Sequence, residues 1–459
     1  MSKHTSLQGV LFKSLARKPV TVGFDQAHAS SEGGVLLLKA CDQRLGLSAR
    51  LARCLHDRRD PTKVVHSCRE LLQHRMFAMA CGYADGNDPA RLGQDPILKL
   101  ALDRDPVSGN DLASQSTVSR FENAPDAGTL LRMGEALADT VITRHKKRRR
   151  GRKTRRITLD FDPTHDPAHG AQQLSLFNSG YDTRCYLPMA GFMSFDQEVD
   201  QYLLAYVLRA GNAATKVGLL PLLKRIVPKL RKAFPNASIL IRLDAGFAGA
   251  ELYDFFQAEK LEYVVCMAKK PVLEDLCASL RAPVDEALTG DEVPEAVFGE
   301  ARYQARSWSR EQRVVMKVGV AFHPGRKPKV NPRFIITNLT DSPEYVYRKV
   351  YCARGDAENR IKELKAGLAI DRTSCTRFLA NQLRVLIAAA AYVLFQELRL
   401  HARRTSCQRC QASTLRLRLL KLSAWVEVSV RRIVIHFPNT AAYANEWRKI
   451  ARSLGAVPT

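Results

Sequence analysis

The hydrophobic period of this 459-residue chain changes once, across a tract of thirteen residues, RHKKRRRGRKTRR (144–156), that holds ten basic groups and no acid. Before the tract, apolar residues recur at helical spacing. From Lys63 to Ala80 the residues Val64, Val65, Cys68, Leu71, Leu72, Met76 and Met79 follow it, and Gly82 predicts the stop. After the tract, ITLDFD (157–162) alternates: Ile157, Leu159 and Phe161 face one side of a strand, and Thr158, Asp160 and Asp162 the other. The two periods need two kinds of element. The chain therefore divides into a mainly helical part (1–143), a basic strap (144–156) and a part built on a sheet.

Beyond 162 the pattern predicts strands at 184–193 and 201–209, a helix within 214–232, a buried strand ILIRLD (239–244), a helix near 249–258 and a strand YVVCMA (263–268). This is an α/β layer, and its order resembles the ribonuclease-H-like fold. Residues 269–347 turn to strand and loop, with an acidic stretch from Asp285 to Glu295 and a strand at 333–339, and read as a β-rich insertion. The catalytic domain of this reading is 157–268 with 348–400, followed by a basic C-terminal region, 401–459. The helix from Ala380 to Arg399 is apolar all round its middle and reads as a core helix. Residues 426–437 predict an edge hairpin carrying Arg431 and Arg432.

In the helical part, Gly33-Gly34 ahead of Val35–Leu38 predicts an early extended piece. The segment DLASQSTVSRFEN (111–123) places Ser119 and Glu122 at capping-box spacing. It reads equally as part of a helix-turn-helix, whose second helix enters a major groove, or as a capped helix in a plain bundle.

The net charge is +25. Residues 1–143 contribute +2, the strap +10, residues 157–347 −1 and residues 348–459 +14. A near-neutral middle flanked by two basic regions suits a long polyanion held across it, because Lys and Arg on phosphates release condensed counterions. Apolar residues at 46% and charged residues at 25% exclude a disordered polycation. The longest apolar run, Val385–Phe395, is short for a bilayer, and the first twenty residues lack the apolar core of a secretory signal. Eleven cysteines with one C-x-x-C (Cys407, Cys410) make no disulfide framework. The expectation is a reduced, intracellular, soluble protein.

Asp162 and Asp244 each end a predicted strand at a turn, where α/β sheets bind ligands. Converging carboxylates call for a cation, and hard oxygen ligands suit Mg²⁺ or Mn²⁺. Either Asp alone reads as well as a cap of the following turn. A third acid lies in YCARGDAENRIKELK (351–365). At 100° per residue, Tyr351, Arg354, Glu358, Lys362 and Lys365 form one stripe, beside an apolar stripe of Ala353, Ala357, Ile361 and Leu364. A carboxylate among cations suits a site handling a metal and phosphates; a solvated helix face with i,i+4 pairs is the plain alternative. Gly355 leaves the start of that helix open.

Tyr351, Arg354, Glu358 and Lys365 at these gaps resemble the Y-R-E-K signature of bacterial insertion-sequence DDE transposases, and LDFDPT and RLDAGF resemble that family's two aspartate strands. HDRRDPTKVVHS, ACGYADGNDPARL, STVSRFEN, LRAGNA and DRTSC extend the likeness over roughly 20–400, toward the insertion sequence 1380 type. The resemblance implies a cut-and-paste transposase with a metal triad of Asp162, Asp244 and Glu358 holding Mg²⁺, for which Mn²⁺ can substitute. Asp160 stands beside Asp162 as the alternative first carboxylate; the family's Asp-x-Thr wording fits Asp162-Pro163-Thr164. It further implies phosphate contacts from Tyr351, Arg354 and Lys365, with Lys362 on the same stripe. Trp308 is a candidate platform for an extruded base or equally a packed strand residue. Arg148, Arg149 and Arg150 of the strap are candidate DNA contacts. The implied partner is double-stranded DNA, at element ends and target, bound by a homodimer in the bacterial cytoplasm at the nucleoid. The other readings are a transposase-derived DNA-binding protein without catalysis and a ribonuclease-H-like nuclease without strand transfer.

Overall fold

The computed structural model describes residues 10–12, 15–287, 295–322 and 328–458. An eight-stranded mixed sheet forms its centre. In chain order the strands are β1 (Arg156–Pro163), β2 (Met189–Phe195), β3 (Tyr202–Val207), β4 (Ser238–Leu243), β5 (Glu262–Met267), β6 (Val297–Tyr303), β7 (Gln312–Val318) and β8 (Arg333–Thr337). They lie side by side as β6-β7-β8-β5-β4-β1-β2-β3. The pairs β1–β4 and β4–β5 are parallel, and the other neighbours are antiparallel.

Two expectations about this sheet change. Residues 184–193 split: Thr183–Tyr186 joins a small three-stranded sheet with Asp166–Pro167 and Leu176–Asn178, and only Met189 onward enters β2. Pro188 stands at the break, where it has no N–H to give a ladder; its carbonyl accepts from Thr164 N at 2.9 Å. Residues 269–347, expected as strand and loop, begin otherwise. They open with two helices (Pro271–Leu276, Ala278–Ala287), and then β6, β7 and β8 extend the central sheet from β5. Without β8, that side of β5 would be an open edge of backbone donors and acceptors. Of the acidic stretch, residues 288–294 lie outside the described residues.

Five helices matter to the site: α1 (Ala127–Arg148), α2 (Leu219–Ala233), α3 (Ala250–Ala258), α4 (Gly355–Leu368) and α5 (Phe378–His401). α5 closes the other edge of the sheet. Gln396 Oε1 accepts from Leu203 N at 3.1 Å, Gln382 Oε1 accepts from Leu208 N at 2.8 Å, and Gln396 Nε2 donates to the Gln201 carbonyl at 2.8 Å. Side chains thus replace the missing neighbour strand. By length and composition α5 passes for a membrane span, yet 83% of its apolar window is buried inside the protein. It is the expected core helix, and its outer side carries the N-terminal helices, so one apolar core runs from Val35 to Ala451.

The N-terminal part also departs from expectation in detail. Val35–Leu45 is a helix, not an extended piece, with Val35, Leu38, Cys41 and Leu45 buried at helical spacing. Gly34 is needed for a crossing: a Cβ there would lie 1.7 Å from the Leu419 carbonyl oxygen of the C-terminal region. The helix assigned to 63–80 starts at Cys68, because Ser67 Oγ caps Glu70 N at 3.1 Å, and it ends ahead of Gly82 at φ +98°. Ser119 and Glu122 do not make a capping box. They sit inside the helix Gln115–Asn123, and Glu122 is buried on Arg75 Nε at 2.7 Å.

Candidate active site

β1 and β4 run parallel with Asp160 in register with Arg242. Two residues on, Asp162 and Asp244 therefore leave adjacent strands side by side, at the spacing of roughly 4.8 Å between neighbours. Pro163 follows the first, and a 3₁₀ turn (Ala245–Phe247) follows the second. Asp244 Oδ1 caps that turn by accepting from Gly246 N at 3.0 Å.

The third carboxylate comes on α4. Its helical path starts well before Tyr351: an α turn (Pro343–Tyr345), a π turn (Val346–Tyr351) and a 3₁₀ turn (Cys352–Arg354) feed into α4, and Gly355 has ordinary helical backbone. Ala357, Ile361 and Leu364 are buried. Glu363, 3% exposed, anchors the helix to α5 and beyond: it accepts from Tyr392 Oη at 2.8 Å, Arg360 at 2.9 Å, Ala412 N at 2.8 Å, and Arg399. That inward anchor turns Glu358 outward to the crevice, where its side chain is 49% exposed.

Arg354 joins the parts. Its Nη1 lies 3.0 Å from Asp162 Oδ2 and its Nη2 lies 3.1 Å from Glu358 Oε1. Burial pushes the Asp162 carboxyl up to about 7; Arg354 opposes the shift, and the negative charges of Asp244 and Glu358 add to it. Burial also raises Asp244, against Arg354 and the Gly246 N–H. Arg354 thus offsets only part of what burial does to Asp162 and Asp244. Among the described residues no three carboxylate, imidazole or thiol side chains form a ready-made metal cluster; Asp162 and Glu358 meet on Arg354.

Asp160 takes a different place. It is fully buried and accepts from Arg242 Nε and Nη2, both at 2.7 Å, and from Gln201 Nε2 at 2.9 Å. Arg242 Nη1 continues to the Val350 carbonyl at 3.0 Å. This pair ties β1, β4 and the π turn together beneath the crevice.

The other candidate residues fall into three groups. Tyr351 is half-buried beside Tyr347 (ring centroids 5.8 Å) and Cys266, and burial raises its phenol. Lys365 donates to the His165 carbonyl and lies 3.8 Å from Asp371, whereas Lys362 is exposed with no ion-pair partner among the described residues. Trp308 is no free platform: it is 8% exposed, with Tyr253 and Tyr303 edge-on at 5.0 and 5.3 Å. Arg148 and Arg149 are also taken. Arg148 Nη2 pairs with Glu198 at 2.7 Å, and the buried Arg149 pairs with Glu198 at 2.5 Å and with Asp196, clasping the β2–β3 turn. Of Arg148, Arg149 and Arg150 only Arg150 is exposed.

Sequence reasoning missed the aromatic at the crevice. Tyr181 is 46% exposed, stacks on His165 at 4.6 Å and 16°, and feels the charges of Asp162 and Asp244. It sits in a turn of the small sheet, and no periodic signal marks it. Asp166 was missed as well. Its carboxyl is pushed up to about 8 by burial, against the hydrogen bond from Thr373 Oγ1 at 2.9 Å.

The fold and the crevice together define a class: a mixed α/β sheet with acidic side chains at the carboxyl ends of its central parallel strands and cations around them. The family model described as Transposase DDE domain group 1 matches residues 12–459, and the chain belongs to that family of DDE transposases. No curated protein matches it.

Proposed function

We propose that this DDE transposase moves its element by cut-and-paste, with Asp162, Asp244 and Glu358 as the metal-holding triad and Tyr351, Arg354, Lys362 and Lys365 on DNA phosphates. One observation carries the reading: Arg354 bridges Asp162 and Glu358, beside Asp244 on the neighbouring strand end. The partial order β3-β2-β1-β4-β5, with β1, β4 and β5 parallel, supports a ribonuclease-H-like core. The sequence motifs support the insertion sequence 1380 type.

The donors fit divalent cations of the kind the family normally uses. They are hard oxygens, and a dication beside them would favour the charged form of the Asp162 carboxyl, which burial has raised. When bound, a Mg²⁺ pair would supply charge at the attacking and leaving oxygens of an in-line displacement. The protein's own side chains do the rest. Lys362 is free for phosphate, while Arg354 and Lys365 exchange their present partners for phosphate oxygens. Water attack on one phosphodiester frees a 3′-hydroxyl, which attacks a second. The hydrolysis is downhill and the strand exchange roughly conserves bond energy, so no nucleotide cofactor is needed.

The helix Gln115–Asn123 turns Gln115, Ser116 and Arg120 outward and is the candidate reader of the element end, with a homodimer pairing two ends at the nucleoid. The test is Mg²⁺-dependent nicking and joining of labelled end-bearing duplexes. Asp244→Ala abolishes cleavage and retains binding. Full residual cleavage removes Asp244 from the mechanism. Binding without nicking by the wild type reassigns the chain to a DNA-binding factor, and nicking without joined products to a nuclease.

A further inference from the structure

At the far end of β1 and β4 from the carboxylates, the end of α1 and the strap face residues 233–237, which lead into β4. Between them runs a groove of about 550 Å³. Its walls carry Lys146, Lys147, Arg150, Arg152 and Lys153 and no carboxylate. All five cations are exposed, and none has an ion-pair partner among the described residues. The neighbouring Arg148 and Arg149 are consumed by Glu198 and Asp196, and Arg149 Nε also holds Thr154 Oγ1 at 2.8 Å, which fixes the strap against the turn. Of the six basic residues along the groove, Arg149 is held by Asp196 and Glu198, and the other five keep their charge unpaired among the described residues.

We propose that this groove is a second DNA-backbone site, distinct from the carboxylate crevice, that grips duplex phosphates away from the bond being cut. It rests on the transposase reading only for the identity of the polyanion. The separation follows from register. Arg156 pairs with Ser238 at this end, and Asp162 and Asp244 each lie six residues on at the other. At about 3.3 Å per residue the two sites are roughly 20 Å apart. A duplex rising about 3.4 Å per base pair reaches from one to the other over no fewer than about six base pairs. Unpaired cations clustered on an acid-free wall fit phosphates rather than base edges, so binding there is indifferent to sequence.

The test is fluorescence anisotropy of the full chain with a duplex of ~30 base pairs across a salt series, in EDTA so that no strand is cut. The variant is K146Q/K147Q/R150Q/R152Q/K153Q, with Asp244→Asn as a reference that keeps the groove. The log–log salt slope falls by about 4.5 in the quintuple variant, at about 0.9 for each phosphate no longer neutralised, and low-salt affinity drops more than tenfold. Slope and affinity equal to wild type overturn the proposal, whether or not the chain cuts DNA. Should the quintuple variant melt early, K147Q/R152Q must reduce the slope by nearly 2. Ethylation interference then identifies the duplex. Blocked phosphates six or more base pairs from the cut place the cleaved duplex in the groove, and capture of a second labelled duplex by the preformed complex places a separate one there. Interference confined to the cut itself overturns the proposal.

Discussion

Breaking the Asp160–Arg242 pair separates its structural role from the candidate chemistry two residues away. Arg242 makes two charge-assisted hydrogen bonds of 2.7 Å to Asp160, and the two side chains are 8% and 1% exposed. Removing either partner alone leaves a buried charge without a counter-charge, which costs about 3–5 kcal/mol. Replacing both with apolar residues of similar size removes both desolvation penalties. The double variant Asp160→Leu/Arg242→Met loses the Gln201 and Val350 hydrogen bonds as well, at about 1 kcal/mol each. It therefore unfolds within about 2 kcal/mol of wild type, and the coupling energy from the cycle is at least about 4 kcal/mol. Urea denaturation of wild type, both single variants and the double measures this. Cleavage assays on the same four proteins, with Asp162→Asn beside them, supply the second reading: the double variant cuts, and Asp162→Asn does not. Single variants as stable as wild type would refute the burial argument. A folded but inactive double variant would move the first carboxylate to Asp160.

Two further predictions rest on charge. Asp166 has its folded carboxyl raised from 3.8 to about 8, so the folded state holds its proton longer than the unfolded chain. Its favourable contribution is complete below about pH 4 and disappears as pH rises through 8, with a slope of about 1.4 kcal/mol per pH unit between. Asp166→Asn keeps an acceptor for Thr373 and removes this slope, so its melting curves between pH 5 and 8 gain on wild type as pH rises; parallel curves contradict the assignment. In the strap, Arg149→Ala destabilises by about 2–4 kcal/mol because Asp196 and Glu198 lose a buried partner. Arg150→Ala stays within about 0.5 kcal/mol of wild type and weakens DNA binding instead. Equal melting of the two variants would deny the division between clamp and groove.

Period and turn chemistry made much of the architecture readable along the chain. Alternation in ITLDFD marked β1, short apolar runs marked β4 and β5, and an all-apolar stretch marked α5, since these signals are local consequences of which faces are buried. The strand-end positions of Asp162 and Asp244 were readable for the same reason. What lies between distant segments was not. Asp160 and Asp162 share a strand face, and only the partner strand assigns Arg242 to one and leaves the other at the crevice. Likewise ten adjacent basic groups read as one strap until acids from the β2–β3 turn claim two of them. The region read as a β-rich insertion supplies three strands that extend the sheet beside β5, because a backbone edge takes whatever strand arrives, and register carries no local mark. Burial periodicity belongs to a segment and is written in it. Charge compensation and strand neighbours belong to pairs of segments, and they exist only once the chain has folded.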